Sequence, residues 1–155
     1  MKTVDEKLLV LSSIAQKFNA AGITWAVGAS ALLYFHHIAD EFHDLDIMVH
    51  EGDILAAKEL LLPVGTLHPP APEGQYATKY FFEFSIGGVE VDLIGGYAIR
   101  KDGVVHDCSL DASQITGSTT VNGQTVPLQS VQLWRRYYAL MGRDAKVALI
   151  DSHPH

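Results

Sequence analysis

Apolar and polar positions along this chain alternate in two rhythms. Val4, Leu8, Leu11, Ile14, Ala15 and Phe18 recur at helical spacing with Lys, Gln and Ser between them, and Gly22 is placed to stop that helix. Residues 23–27 form an apolar run of strand length. Residues 29–37 return to a helical rhythm, with Ala31, Leu32, Leu33 and Phe35 as the packing set. Residues 44–49 read as a central strand. Gly52-Asp53 can cap a helix over residues 54–62, which Pro63 ends.

The second half reads as strands followed by helix. Residues 64–77, with Pro69, Pro70, Pro72 and Gly74, read as a loop within one domain. Residues 80–86 and 89–94 flank Gly87-Gly88, a two-residue hairpin signal, and residues 119–121 and 124–128 flank Asn122-Gly123, a stronger one. A helical region covers about 131–150, with a break at Gly142 that makes it a C-terminal helical hairpin. The fold class expected is α+β (α/β): a small mixed β-sheet with flanking helices, in a single domain over 1–155.

Composition narrows the class. A chain of 155 residues, 48% apolar, can bury a core of its own, about 70% of its unfolded surface. No apolar run approaches the roughly 20 residues that span a bilayer, and the N-terminus lacks the charge pattern of a signal peptide. Cys108 is the sole cysteine, which excludes an internal disulfide and suits a reducing cytoplasm. The net charge of −7 argues against binding an extended nucleic acid, where a basic face is expected.

The candidate chemistry lies in three short stretches. Val27-Gly28-Ala29-Ser30 reads as a glycine-led turn into a helix, whose backbone N–H groups and dipole favour an anion. Asp44-Leu45-Asp46-Ile47 places two carboxylates on one face of a strand, and Val89-Glu90-Val91-Asp92 adds more on another strand. Carboxylates gathered this way repel and raise one another's pKa, so the cluster calls for cations. An anion cradle beside a divalent-metal site points to nucleotide chemistry.

These stretches resemble the nucleotidyltransferase superfamily, whose fold is shared with the catalytic core of DNA polymerase β. The pattern there is an apolar residue, Gly, then Gly or Ser opening a helix, followed by acid-apolar-acid-apolar and a third acid on a neighbouring strand. The layout is similar to minimal single-domain members, including AbiEii-like and lincosamide or aminoglycoside transferase-like proteins. Ala29 departs from it, with Ser30 next in line, and Asp40-Glu41 bring acid where relatives carry Arg or Lys. The resemblance implies transfer of NMP from an NTP to a hydroxyl acceptor (small molecule, RNA or protein) with release of pyrophosphate. It implies two Mg²⁺ ions held by Asp44, Asp46 and Asp92, the same three acids being catalytic. Gly28, Ala29, Ser30 and Lys146 would take the nucleotide phosphates. The alternative it leaves is a catalytically inactive module with a regulatory or toxin–antitoxin-type role. A second copy of the chain would complete an acceptor site on the first reading, and a small helical protein would be the partner on the second.

Other polar residues have plainer readings. Glu90 is either a fourth ligand or a solvated residue at the strand's start. His43 either meets a phosphate or metal or bonds within its loop. His36-His37 read as a helix end, and His153 and His155 as tail. Cys108 has no base partner in sequence and reads as a packed thiol. Trp134, Tyr137, Tyr138 and Leu140 read as helix core, and Arg135-Arg136 as a solvated face.

Overall fold

The computed structural model describes residues 2–71 and 74–153; Pro72 and His155 lie outside them. Helix α1 (Val4–Ala20) starts at a capping box in which Thr3 and Glu6 satisfy each other's backbone N–H groups. It ends where Gly22 turns back at φ +70° and Ile23 N–H donates to the Phe18 carbonyl. Leu11, Ile14, Ala15 and Phe18 form its buried stripe. Strand β1 (Trp25–Gly28) runs directly into the short helix α2 (Ala29–Phe35), which ends two residues earlier than its apolar rhythm suggests because His37 takes φ +60°.

Strand β2 (Leu45–Val49) is followed by a 3₁₀ turn at Glu51–Asp53 and helix α3 (Ile54–Leu61). Two-residue strand β3 (Thr66–Leu67) lies inside the stretch expected to be loop, held by pairing to Ser85 and Phe84. Strands β4 (Tyr80–Ile86) and β5 (Val89–Gly95) form the hairpin that Gly87-Gly88 announces. Strands β6 (Ala98–Lys101) and β7 (Val104–Asp107) form a further hairpin that the apolar pattern did not suggest; its signal is the turn Asp102-Gly103. Strand β8 (Ile115–Val121) begins four residues before the expected 119, with an irregularity at Gly117 that polar Gly-Ser-Thr-Thr composition disguised. Strand β9 (Gln124–Gln129), helix α4 (Val131–Leu140) and helix α5 (Asp144–Asp151) complete the chain, and Gly142 at φ +75° makes the corner of the helical hairpin.

The main sheet is mixed, in the order β3-β4-β5-β2-β1-β9-β8. Strand β2 is its middle member, parallel to β5 and antiparallel to β1. Alternation then sorts the faces. A Cβ on Gly95 would lie 2.8 Å from Ile54 of α3, so Val91, Leu93 and Gly95 face α3 while Glu90, Asp92 and Ile94 face the other way. Lys7 is buried in α1, and its ammonium donates to the Phe42 carbonyl at 2.5 Å, tying down the connection that delivers Asp44 to β2. Every buried side-chain nitrogen and oxygen among the described residues has a partner. No helix among them is long and apolar enough to cross a membrane.

Candidate functional site

Strand register gathers the acids. Asp46 on β2 stands opposite Asp92 on β5, Glu83 on β4 opposite Asp92, and Gly28 on β1 opposite Asp46. Glu83, Asp92, Asp46 and Gly28 thus form one row across adjacent strands. Asp44, just ahead of β2, is exposed and lines the same cleft. That cleft has a volume of 380 Å³ and is also lined by Ala29, Ser30, His43, Arg143 and Lys146. Gly28 does not line it.

The carboxyl groups of Asp46 and Asp92 lie within hydrogen-bonding reach of each other across the β2–β5 register. Burial, then the charges of Asp92 and Asp44, push Asp46 well above the usual carboxylate range. Burial and the charge of Asp44 push Asp92 up to about 6. None of the ion pairs among the described residues involves these three aspartates. Nor is any group of three or more His, Cys, Asp or Glu side chains among those residues already arranged to hold a metal ion. What stands in the cleft is a contacting pair of carboxyls with a third beside it. As a set of hard oxygen donors with no cationic side chain bound to them, they fit Mg²⁺ better than a soft metal.

Two cations face these acids from the closing helices. Arg143 stands at the corner between α4 and α5, its guanidinium 5.5 Å from the centre of the Tyr138 ring. Its charge reaches Asp46 and lowers that group's pKa, opposing the larger upward effects. Lys146 follows on α5, and burial together with the charge of Arg143 holds its ammonium below the ordinary lysine range. In the sequence Gly142-Arg143 marks, with Lys146, the resemblance of the closing helices, but Arg143 has no site role there; the fold-back of the C-terminal hairpin brings it here.

The wall between acids and cations is aromatic. Trp134, Tyr97 and Tyr76 form a stack, with ring centres 5.9 Å apart at each step. Trp134 donates its indole N–H to the buried Gln129 side chain at 2.8 Å. Trp134, Tyr137 and Tyr138 are buried as core residues should be, and Trp134 and Tyr138 also line the cleft. The indole explains Gly28: a Cβ there would come within 2.5 Å of the ring. Since Gly28 has φ −124°, close approach rather than backbone freedom requires the glycine. Ala29, by contrast, takes φ +52°, a left-handed conformation unusual for a residue with a side chain.

The remaining candidates divide. Glu90 pairs with His68 at 3.5 Å and does not line the cleft. Arg135 holds Asp151 with both nitrogens, at 2.6 and 2.9 Å, clasping α4 to α5. Cys108 is buried, with its thiol pushed up to about 11, which makes a poor nucleophile. Glu83 was missed because nothing local marks it; only the pairing of β4 with β5 sets it beside Asp92.

No protein-family model matches the sequence, and a search of curated proteins returns no match. Solved structures do match. A candidate nucleotidyltransferase from Thermotoga maritima superposes with a TM-score of 0.76 at 21% identity, covering 95% of this chain and 91% of that one. The antibiotic-resistance factor ANT(2'')-Ia, solved in complex with adenylyl-2''-tobramycin, gives 0.57 at 10% identity, with 94% and 95% covered. An antigenic nucleotidyltransferase-like protein from Paracoccidioides brasiliensis gives 0.55 at 19% identity, with 96% and 75% covered. With its mixed sheet, its acid-bearing central strands and its closing helical hairpin, this chain has the nucleotidyltransferase fold.

Proposed function

We propose that this chain is an Mg²⁺-dependent nucleotidyltransferase that moves NMP from an NTP to a hydroxyl acceptor and releases pyrophosphate. The observation that carries this reading is the Asp46–Asp92 carboxyl pair, with Asp44 beside it, on the central strands of the sheet. Asp44, Asp46 and Asp92 would hold Mg²⁺, which when bound supplies positive charge to the phosphates and to the attacking oxygen. The acceptor oxygen attacks the α-phosphorus as the bond to pyrophosphate breaks. The hydroxyl proton would pass to the Asp92 carboxylate, which lines the cleft. Ala29 and Ser30 line the cleft and, with Gly28 leading into their turn against Trp134, would receive phosphate oxygens.

The acceptor has a place to lie. A second hollow of 500 Å³ shares Tyr76, Thr78 and Phe81 with the cleft and runs along β4 past Glu83. The adenylyl-tobramycin complex of ANT(2'')-Ia supports a small hydroxylated acceptor over a polymer. So does the net charge of −7. A buried lone cysteine fits work in the cytoplasm.

The test is incubation with each labelled NTP and Mg²⁺, reading pyrophosphate release and label transfer to added acceptors or to the protein. Asp44→Asn and Asp46→Asn should abolish transfer and leave the melting temperature at or above that of the unaltered chain. Absence of transfer with all four NTPs, joined to absence of calorimetric heat with ATP or GTP and Mg²⁺, would instead assign the chain to the inactive regulatory class.

A further inference from the structure

Of the three aspartates, two are placed by the sheet. Asp46 and Asp92 sit within the paired register of β2 and β5, which begins at Leu45 and Val91. Asp44 stands one residue ahead of that register, exposed in the cleft. The connection that carries it is fixed at its α2 end by the Ile38 and Ala39 N–H groups, which donate to the Leu33 carbonyl at 2.9 and 3.3 Å. Nearer Asp44, Phe42 is the inward anchor, buried between exposed Glu41 and His43 with its ring edge-to-face with Tyr34 of α2. Lys7 reaches Phe42 from α1, its ammonium bonded to the carbonyl and 5.5 Å from the ring centre. No ion pair of the described residues includes Lys7. An ammonium buried without a carboxylate costs free energy that an apolar side chain of similar length, such as methionine, would spare. What the ammonium adds is a charge-assisted hold on the backbone two residues before Asp44.

We propose that Lys7 is a positioning residue for the divalent-metal site: by holding the Phe42 carbonyl it keeps Asp44 where it can share a cation with Asp46 and Asp92. The inference rests on the reading of those aspartates as metal ligands. It gives α1 a part in the chemistry although no residue of that helix lines the cleft, so Lys7 acts through Asp44.

The experiment is titration of the full chain with Mn²⁺ alone, followed by electron paramagnetic resonance, and repeated on Lys7→Met, Asp44→Asn and the double variant. Lys7→Met should melt close to the unaltered chain, because relief of the buried charge offsets the carbonyl left without its donor. Its Mn²⁺ affinity should nevertheless fall on the order of 10-fold, the loss expected when a group that orients a ligand is removed. The double variant should bind Mn²⁺ no more weakly than Asp44→Asn, since Lys7 has nothing further to position once Asp44 is gone. Amide hydrogen exchange should quicken at residues 40–44 in Lys7→Met and stay unchanged in the sheet. Unchanged Mn²⁺ affinity in folded Lys7→Met, or a loss that adds in full to that of Asp44→Asn, overturns the positioning role and leaves the transferase reading in place. Failure of Lys7→Met to fold overturns it as well, since the ammonium would then hold the fold and not the ligand. Failure of the unaltered chain to bind Mn²⁺, or binding that Asp44→Asn does not weaken, overturns both.

Discussion

Asp92→Asn should make the metal-free protein more stable while removing its activity. Asp92 is held at about 6 against an ordinary 3.8, chiefly because its ionised form is buried. Below 3.8 the carboxyl is neutral in the folded and unfolded chain alike, and the site costs nothing. As pH rises through that range toward 6 the unfolded chain releases its proton first, so stability falls; above about 6 the whole cost is present. A difference of this size corresponds to about 3 kcal/mol, and residual contact with water brings the recoverable part to roughly 1–3 kcal/mol. Asparagine keeps the shape, cannot ionise, and can donate its amide N–H to the Asp46 carboxyl. For a chain of this length the melting temperature should rise by roughly 3–10 °C. The assay is scanning calorimetry in EDTA at pH 8 and at pH 4.5. The gain should be present at the higher pH and largely gone at the lower. A variant that melts at or below the unaltered chain at pH 8, or a gain equal at both pH values, refutes the reasoning.

Two other expectations concern the turn beside the acids. Gly28→Ala should destabilise by about 1–3 kcal/mol, because its Cβ falls on the Trp134 ring; chemical denaturation should show that cost shrinking in a Trp134→Leu background. Ala29→Gly should stabilise by about 0.5–1 kcal/mol by relieving the left-handed φ of +52°, and a lower melting temperature for this variant would count against strain there.

The sequence made the acids legible because their chemistry is local. Alternation puts Asp44 and Asp46 on one side of a strand whatever the sheet does. Their partner is a matter of register: Asp46 meets Asp92 because β2 and β5 run parallel in the middle of the sheet, which no local pattern encodes. The same register brings in Glu83. The hairpin at residues 98–107 was overlooked because Ala-Ile-Arg-Lys and Val-Val-His-Asp lack clean alternation, although Asp102-Gly103 between them is a turn signal of the same kind as Asn122-Gly123. Gly28 was legible as a glycine that something requires, but its cause lies more than 100 residues away, in an indole carried by α4. Arg143 was legible as part of the closing helices but not as a site residue, since only the hairpin of α4 and α5 brings it to the cleft that Asp46 lines.

Three features that cost stability meet around one cleft: a non-glycine residue at positive φ, two adjoining carboxyls raised by burial, and a lysine partly withdrawn from water. Away from the cleft, His37, Asp102 and Asn122 also take positive φ, at turns, while Thr3 and Ser130 cap α1 and α4 and the buried polar side chains among the described residues have partners. A fold under selection for stability alone has no reason to keep these costs adjacent. On the proposed function the aspartates would meet a metal and the Arg143 and Lys146 side of the cleft an anion. A chain that had lost nucleotide binding could discard each cost by a single substitution, Ala29→Gly or Asp92→Asn among them. Costs gathered in one place are what a binding site, rather than fold stability alone, would keep.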